Sequence, residues 1–216
     1  MKKIVIVNHK GGVGKTTSAI NISAGLAKKG NKCLVIDADP QSNLTESFGI
    51  FEPEKDIYLS FSKGDPLPIV KIKKNLSIVP NSLNFAGIEL EISARMARET
   101  ILKELIKGTE KDYDYCIIDC PPSLWLITLN ALVSADEVYI PMEAEYLAYR
   151  GIQRVLTKEI NNQIKSYFGD VLMKTRIRVN VALAESQSDG KDIFEYDPKS
   201  NGAKDYMSLI NEILNK

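Results

Sequence analysis

Lys10-Gly11-Gly12-Val13-Gly14-Lys15-Thr16-Thr17 follows the apolar run Ile4-Val5-Ile6-Val7, with only Asn8 and His9 between them. The order reads as a strand, a glycine-rich loop and the opening of a helix. Glycines at 11, 12 and 14 let the backbone curl so that successive N–H groups point inward at an anion. A helix opening near Lys15 adds the positive end of its dipole. This is the pattern of a phosphate-binding loop: Gly11, Gly12, Val13 and Gly14 cradle phosphates, Lys15 reaches the β- and γ-phosphates, and the Thr16 hydroxyl suits a Mg²⁺ ligand. The general form of such a loop has glycine where this chain has His9, and here a second lysine, Lys10, enters the loop. Lys10 and Lys15 cannot comfortably crowd one triphosphate from the same side. Lys10 is therefore expected to serve a phosphate from another direction, such as one bound to a second subunit. His9, the only histidine, is expected to be a loop residue without a catalytic role.

Two acidic stretches accompany the loop. The apolar run Cys33–Ile36 ends in Asp37-Ala38-Asp39, and the run Cys116–Ile118 ends in Asp119, followed by Cys120-Pro121-Pro122. In an open parallel sheet, ligands sit at the carboxyl ends of the strands. The three carboxylates are thus expected to converge on phosphates held by the loop. Mg²⁺ takes oxygen ligands and keeps several waters. Asp37 and Asp119 are expected to hold its water shell, with Thr16 as a direct ligand. Asp39, one step further, is placed to orient an attacking water. Each carboxylate alone would equally serve as a helix cap or a turn former; all three beside such a loop favour the metal and water roles.

The rest of the chain alternates strand-like and helix-like stretches. Strands are expected near 4–8, 32–37, 76–80, 115–119, 137–142 and 172–178. Helices are expected near 15–29, 83–94, 98–107, 124–134, 147–168 and 203–214. That order implies an α/β fold, a mostly parallel twisted sheet with helices on both faces, with residues 1–216 as one domain. The stretch 51–74, with Pro53, Pro66 and Pro68, reads as loops with a short helix. Of 216 residues, 44% are hydrophobic and 26% charged, as in an ordinary globular protein. Lys and Arg total 28, as do Asp and Glu, so any nucleic-acid binding must come from a local patch. Three cysteines without a C-x-x-C spacing, and one histidine, argue against a disulfide framework or a zinc or iron–sulfur site. No apolar run is long enough for a membrane span, and the first one breaks at Asn8, which argues against a signal peptide.

KGGVGKTT at 10–17, VIDADPQSNLT at 35–45, IIDCPPS at 117–123, TLNALVSADEVYIPMEAEYLAYRGI at 128–152, NVALAES at 180–186 and GKDIFEYDPKSNGAKDY at 190–206 together resemble the ParA (Soj-like) partition ATPases. These belong to the ParA/MinD group of deviant P-loop ATPases. The resemblance covers most of the chain. It implies hydrolysis of ATP with Mg²⁺, slow without a partner. Lys10 looks like the signature lysine that crosses a dimer interface to the partner's nucleotide. Lys15 and Thr16 keep the roles read above, and Thr17 sits where the family contacts the α-phosphate. Asp39 looks like the water-positioning aspartate and Asp119 like the Walker B residue, in a turn to Pro122 that senses the γ-phosphate. The resemblance further implies an ATP-dependent homodimer, non-specific binding of double-stranded DNA, a ParB-like centromere-binding partner, and a cytoplasmic, nucleoid-associated location. The chain departs from the family after Gly151, where Ile152-Gln153-Arg154 runs at once into Val155–Ile160; a stretch of the usual pattern, one that would normally include a sheet strand and residues around the adenine, has no counterpart.

Two basic groups are candidates for DNA contact. Arg150, Arg154 and Lys158 recur at four-residue spacing on one face of an expected helix. Lys174, Arg176 and Arg178 alternate along an expected strand. Such surfaces hold phosphates without reading sequence, and either is also compatible with an ordinary solvated face. The last helix, from Tyr206, has a nearly neutral polar face of Ser208, Asn211, Glu212, Asn215 and Lys216. Packing on the domain is expected there, and not membrane anchoring. A MinD-like ATPase that positions a protein or membrane complex, and a nucleotide-binding scaffold without turnover, are the alternative functions.

Overall fold

The computed structural model describes residues 1–142 and 172–215. Its strands are β1 (Lys2–Ile6), β2 (Cys33–Asp37), β3 (Val70–Lys73), β4 (Leu76–Val79), β5 (Tyr115–Asp119) and β6 (Glu137–Tyr139). They form one sheet in the order β3-β4-β2-β5-β1-β6, in which only the β3–β4 pair is antiparallel. β5 therefore lies between β1 and β2, and the sequence neighbours β1 and β2 do not pair. The chain crosses from β1 to β2 on one side, and from β5 it crosses back over β1 to β6 on the other. This reversal opens a crevice at the carboxyl ends of β1, β5 and β2.

The helices are α1 (Lys15–Lys28), α2 (Asn43–Glu46), α3 (Ile57–Lys63), α4 (Ile88–Ile92), α5 (Ile101–Lys107), α6 (Leu126–Ser134), α7 (Val181–Ser188), α8 (Ile193–Tyr196) and α9 (Asn201–Leu214). The central strands are apolar on both sides, and the pleat sorts their side chains between two cores. Ile4, Ile6, Cys33, Val35 and Ile117 face α1, α7, α8 and α9. Val5, Leu34, Ile36, Cys116 and Ile118 face α3, α4, α5 and α6. The expected doubly covered sheet is thus the observed one.

Three stretches differ from expectation. Residues 172–178 form no strand. Their polar backbone is held by side chains of α9 instead: Glu212 accepts from the N–H groups of Lys174 and Thr175 at 2.6 and 2.9 Å, and Asp205 accepts from that of Arg178 at 3.0 Å. Lys174, Arg176 and Arg178 accordingly share no strand face. Within 51–74, α3 is the expected short helix, capped by Asp56, but Val70–Lys73 adds the unexpected edge strand β3. Val181–Ser188, for which no helix was expected, is the helix α7, capped by the Asn180 side chain. The expected helix 147–168, with Arg150, Arg154 and Lys158, lies outside the described residues.

α9 packs along α1 through buried Tyr206, Ile210 and Ile213, as its neutral polar face led one to expect. The close approach is made at Gly25. A Cβ on that residue would stand 1.8 Å from Ile210 Cδ1 and 3.0 Å from Phe194 Cε2. Overpacking of this kind costs about 1–3 kcal/mol, offset by about 1 kcal/mol of helix propensity when Gly becomes Ala. Gly25→Ala is expected to lower stability by a net of up to about 2 kcal/mol in a urea melt; a raised midpoint would mean that α9 does not rest on α1 at this point.

Candidate functional site

The loop after β1 is built as its glycines suggest. Gly12 and Gly14 have φ of +76° and +86°, a region that side chains disfavour. Gly14 is also the N-cap of α1, so the first turn of the helix points its unsatisfied N–H groups into the loop. Lys15 is buried, and its Nζ donates to the Lys10 carbonyl at 3.1 Å. The lysine thus lies folded under the loop, its charge aimed at the space a phosphate would fill. Lys10 is at the exposed rim, with its N–H bonded to Asn8 Oδ1 at 3.0 Å. His9 is exposed.

A cavity of about 540 Å³ opens over the loop. Gly11, Gly14, Lys15, Thr16, Thr17 and Asp39 line it, and Pro122 and Gln187 close its sides. The cavity thus brings together the loop, the start of α1 and Asp39 after β2; Asp37 and Asp119 are buried and do not line it.

Asp37 and Asp119 are direct neighbours across the β2–β5 pair, and both are buried. Their environments differ. Asp37 Oδ2 accepts from the Thr45 N–H at 2.9 Å and the Thr45 hydroxyl at 2.6 Å, while Oδ1 accepts from the Asp39 N–H at 3.1 Å. Burial still pushes its pKa up to about 7. Neither oxygen of Asp119 has a hydrogen-bond partner among the described residues. Burial, then the charge of Asp37, hold its pKa well above the usual carboxylate value; Thr16 and Lys15 pull the other way. The Thr16 hydroxyl favours the ionised form without meeting hydrogen-bond geometry. An orphaned carboxylate, beside a second one and facing a threonine hydroxyl, fits a hard divalent cation. Among the described residues no three His, Cys, Asp or Glu side chains are grouped to hold an ion. A cation here would therefore complete its shell with water and phosphate, as Mg²⁺ prefers.

Asp39 is positioned by a network that sequence reasoning did not find. Its carbonyl accepts from the Ser42 N–H at 2.8 Å and from Asn81 Nδ2 at 3.0 Å, and the Asn81 N–H donates to the Thr45 hydroxyl at 2.9 Å. Thr45, Asn81 and Asp37 thus lock the turn after β2 to the end of β4. Asp39 Oδ1 accepts from the Gln41 N–H at 3.0 Å; Oδ2 has no protein donor among the described residues and is left to accept from water. The one sequence signal for Asn81 was its place at the carboxyl end of an apolar strand. Nothing in the sequence linked Gln187 to the loop.

The basic residues are not brought together in the same way. Lys174 and Arg176 are exposed. Arg178 is spoken for: its Nε and NH2 donate to the Asp205 carboxylate at 2.9 and 2.7 Å, and this pairing raises the arginine's pKa and lowers that of Asp205.

A family profile described as an AAA domain matches residues 1–173. The chain is 38% identical to the sporulation initiation inhibitor protein Soj of Bacillus subtilis (strain 168), with 98% of each chain covered. It is 36% identical to the chromosome-partitioning ATPase Soj of Treponema pallidum (strain Nichols), over 99% of this chain and 97% of that one. Among solved structures, the cobyrinic acid a,c-diamide synthase of Mycobacterium smegmatis with bound ATP analog and magnesium aligns with a TM-score of 0.75 and 28% identity, covering 100% of this chain and 94% of that one. The match to the Bacillus protein runs over 247 positions, more than the 216 residues of this chain. That relative therefore carries residues without counterpart here, in keeping with the shortening read after Gly151.

The buried carboxylate of Asp119 has a measurable cost. Its folded pKa lies above the free value of 3.8, so the folded chain binds this proton more tightly than the unfolded one. Without metal or nucleotide, wild-type stability then falls as pH rises from about 4 toward the folded value, by up to about 1.4 kcal/mol per pH unit. Asp119→Asn removes this contribution. In urea melts with EDTA, the stability of the variant relative to wild type should grow with pH; a difference that does not change with pH would show that Asp119 is not held protonated.

Proposed function

The chain belongs to the ParA/Soj family of P-loop ATPases, and from that membership we propose that it is an ATP-dependent DNA-partition ATPase. ATP and Mg²⁺ are its substrate and cofactor. The observation that carries the reading is the convergence of Lys15, Thr16 and Asp39 on one cavity, with Asp119 buried against Thr16 and Lys15, behind a loop that holds a second, exposed lysine.

The loop N–H groups and the α1 dipole bind the phosphate chain. Lys15 exchanges its bond to the Lys10 carbonyl for phosphate oxygens. Thr16 would hold Mg²⁺ directly, and Asp119 and Asp37 would hold its water shell. When bound, the ion neutralises charge that builds up on the β- and γ-phosphate oxygens. Asp39 Oδ2 accepts a hydrogen bond from the attacking water and so orients it toward the γ-phosphate. Fixed dipoles and charges arranged in this way act without reorganising during the reaction.

ATP closes two copies face to face, and Lys10 reaches the nucleotide of the partner. The exposed rim position of Lys10 supports this, as do Leu124 and Trp125, which are 73% and 61% exposed just beyond Pro122 of the cavity. The closed dimer binds double-stranded DNA without sequence preference, with Lys174 and Arg176 among the contacts. A ParB-like partner stimulates hydrolysis and releases the complex. No helix among the described residues is long and apolar enough to cross a membrane.

Phosphate-release and nucleotide-binding assays test the chemistry. Lys15→Ala should abolish nucleotide binding or turnover. Asp39→Ala should still bind ATP while hydrolysis slows by about 10²-fold or more; normal turnover in that variant would remove Asp39 from its role. Binding to a random-sequence duplex across a salt series tests the switch. Salt-sensitive binding with ATP–Mg²⁺, and neither with ADP–Mg²⁺ nor without nucleotide, is expected. Equal or absent binding in all three states would refute DNA partition, and liposome pelleting would then test a membrane-positioning role.

A further inference from the structure

Thr17 and Gln187 meet although 170 residues separate them. Gln187 sits in the last turn of α7, and its Nε2 donates to Thr17 Oγ1 at 2.6 Å. Both residues line the cavity over the loop. A hydroxyl has one proton to give and lone pairs with which to accept. Gln187 occupies a lone pair of Thr17, and among the described residues the Thr17 hydroxyl donates to nothing. Its proton is therefore available to an acceptor in the cavity, and a hydroxyl that already accepts one bond is a stronger donor in the next.

The mount of Gln187 is firm. Asn21, one turn beyond Thr17 and wholly buried, donates from Nδ2 to the Thr17 carbonyl at 2.9 Å and accepts from the Ile193 N–H at 2.9 Å. The segment that carries Gln187 is thus tied to α1 at two points.

We infer that Gln187 is a positioning residue for nucleotide binding: it turns the Thr17 hydroxyl into a donor for a phosphate oxygen that ADP and ATP share. The inference rests on the nucleotide-binding reading given above. Lys15 and Thr16 serve the terminal phosphates and the metal. Thr17, one residue further into α1, is left for the phosphate on the nucleoside side.

Isothermal titration of the full chain with Mg²⁺–ADP tests this, beside a melting curve without nucleotide. In Gln187→Glu the carboxylate accepts the Thr17 proton, so the tie between α7 and α1 survives. The hydroxyl is then turned away from phosphate, and a negative charge is added. ADP affinity should fall about tenfold or more, with the nucleotide-free melting temperature unchanged. Gln187→Met fills a similar volume but gives no donor; it should weaken ADP binding in the wild-type background and add nothing in a Thr17→Val background. Wild-type ADP affinity in Gln187→Glu overturns the assignment, as does an equal loss from Gln187→Met with and without the Thr17 hydroxyl. If the wild-type chain bound no ADP at all, the nucleotide-binding reading itself would fall, and this one with it.

Discussion

Two carboxyl groups, buried side by side at the ends of neighbouring parallel strands, set the terms for everything around them. Asp37 and Asp119 share a register position and little solvent. Each raises the cost of ionising the other. Asp37 meets this cost with protein donors, chiefly Thr45, while Asp119 has none. The asymmetry divides their labour. Asp37 staples the turn that carries Asp39, and Asp119 keeps both oxygens without a protein donor among the described residues. The cost of ionising both carboxyl groups is thus built into the fold.

The fold can maintain it because the surrounding layers are rigid. β5 is hydrogen-bonded on both sides, by β1 and β2, so Asp119 cannot move away from Asp37. α1 is held on its outer side by α9 through Gly25, at Thr17 by the Gln187 side chain, and one turn further on by the Ile193 N–H, which donates to Asn21. The C-terminal helices are therefore part of the phosphate site although they bring no charged group to it.

The sequence made the sheet and the phosphate chemistry legible, because both are local. Apolar runs of strand length and a glycine loop between strand and helix each carry their meaning within a few residues. The failures have physical causes as well. Lys174-Thr175-Arg176-Ile177-Arg178 alternates like a strand, but Glu212 and Asp205 of α9 take its N–H groups, and no local pattern announces a side chain that far along the chain. Val70-Lys71-Ile72-Lys73 does alternate, as an edge strand guarded by lysines should; the prolines at 66 and 68 concealed it. Thr45 lay in a quoted motif without a role, since its partner Asn81 is on another strand end. Gln187 was out of reach for the same reason.

The strand order also governs when this protein can become itself during translation. β1 is made well before its neighbours in the sheet, β5 and β6. Until Tyr115 and the residues after it have left the ribosome, the apolar edges of Ile4, Val5 and Ile6 have no strand to join. The loop that follows β1 has no wall on the Asp119 side. Pairing between such distant segments is slow and leaves unpaired edges open to wrong partners. A nascent chain of this topology therefore depends on protection while its first half waits for its second, and competence to hold a nucleotide arrives late, all at once, when β5 slides between two strands made long before it.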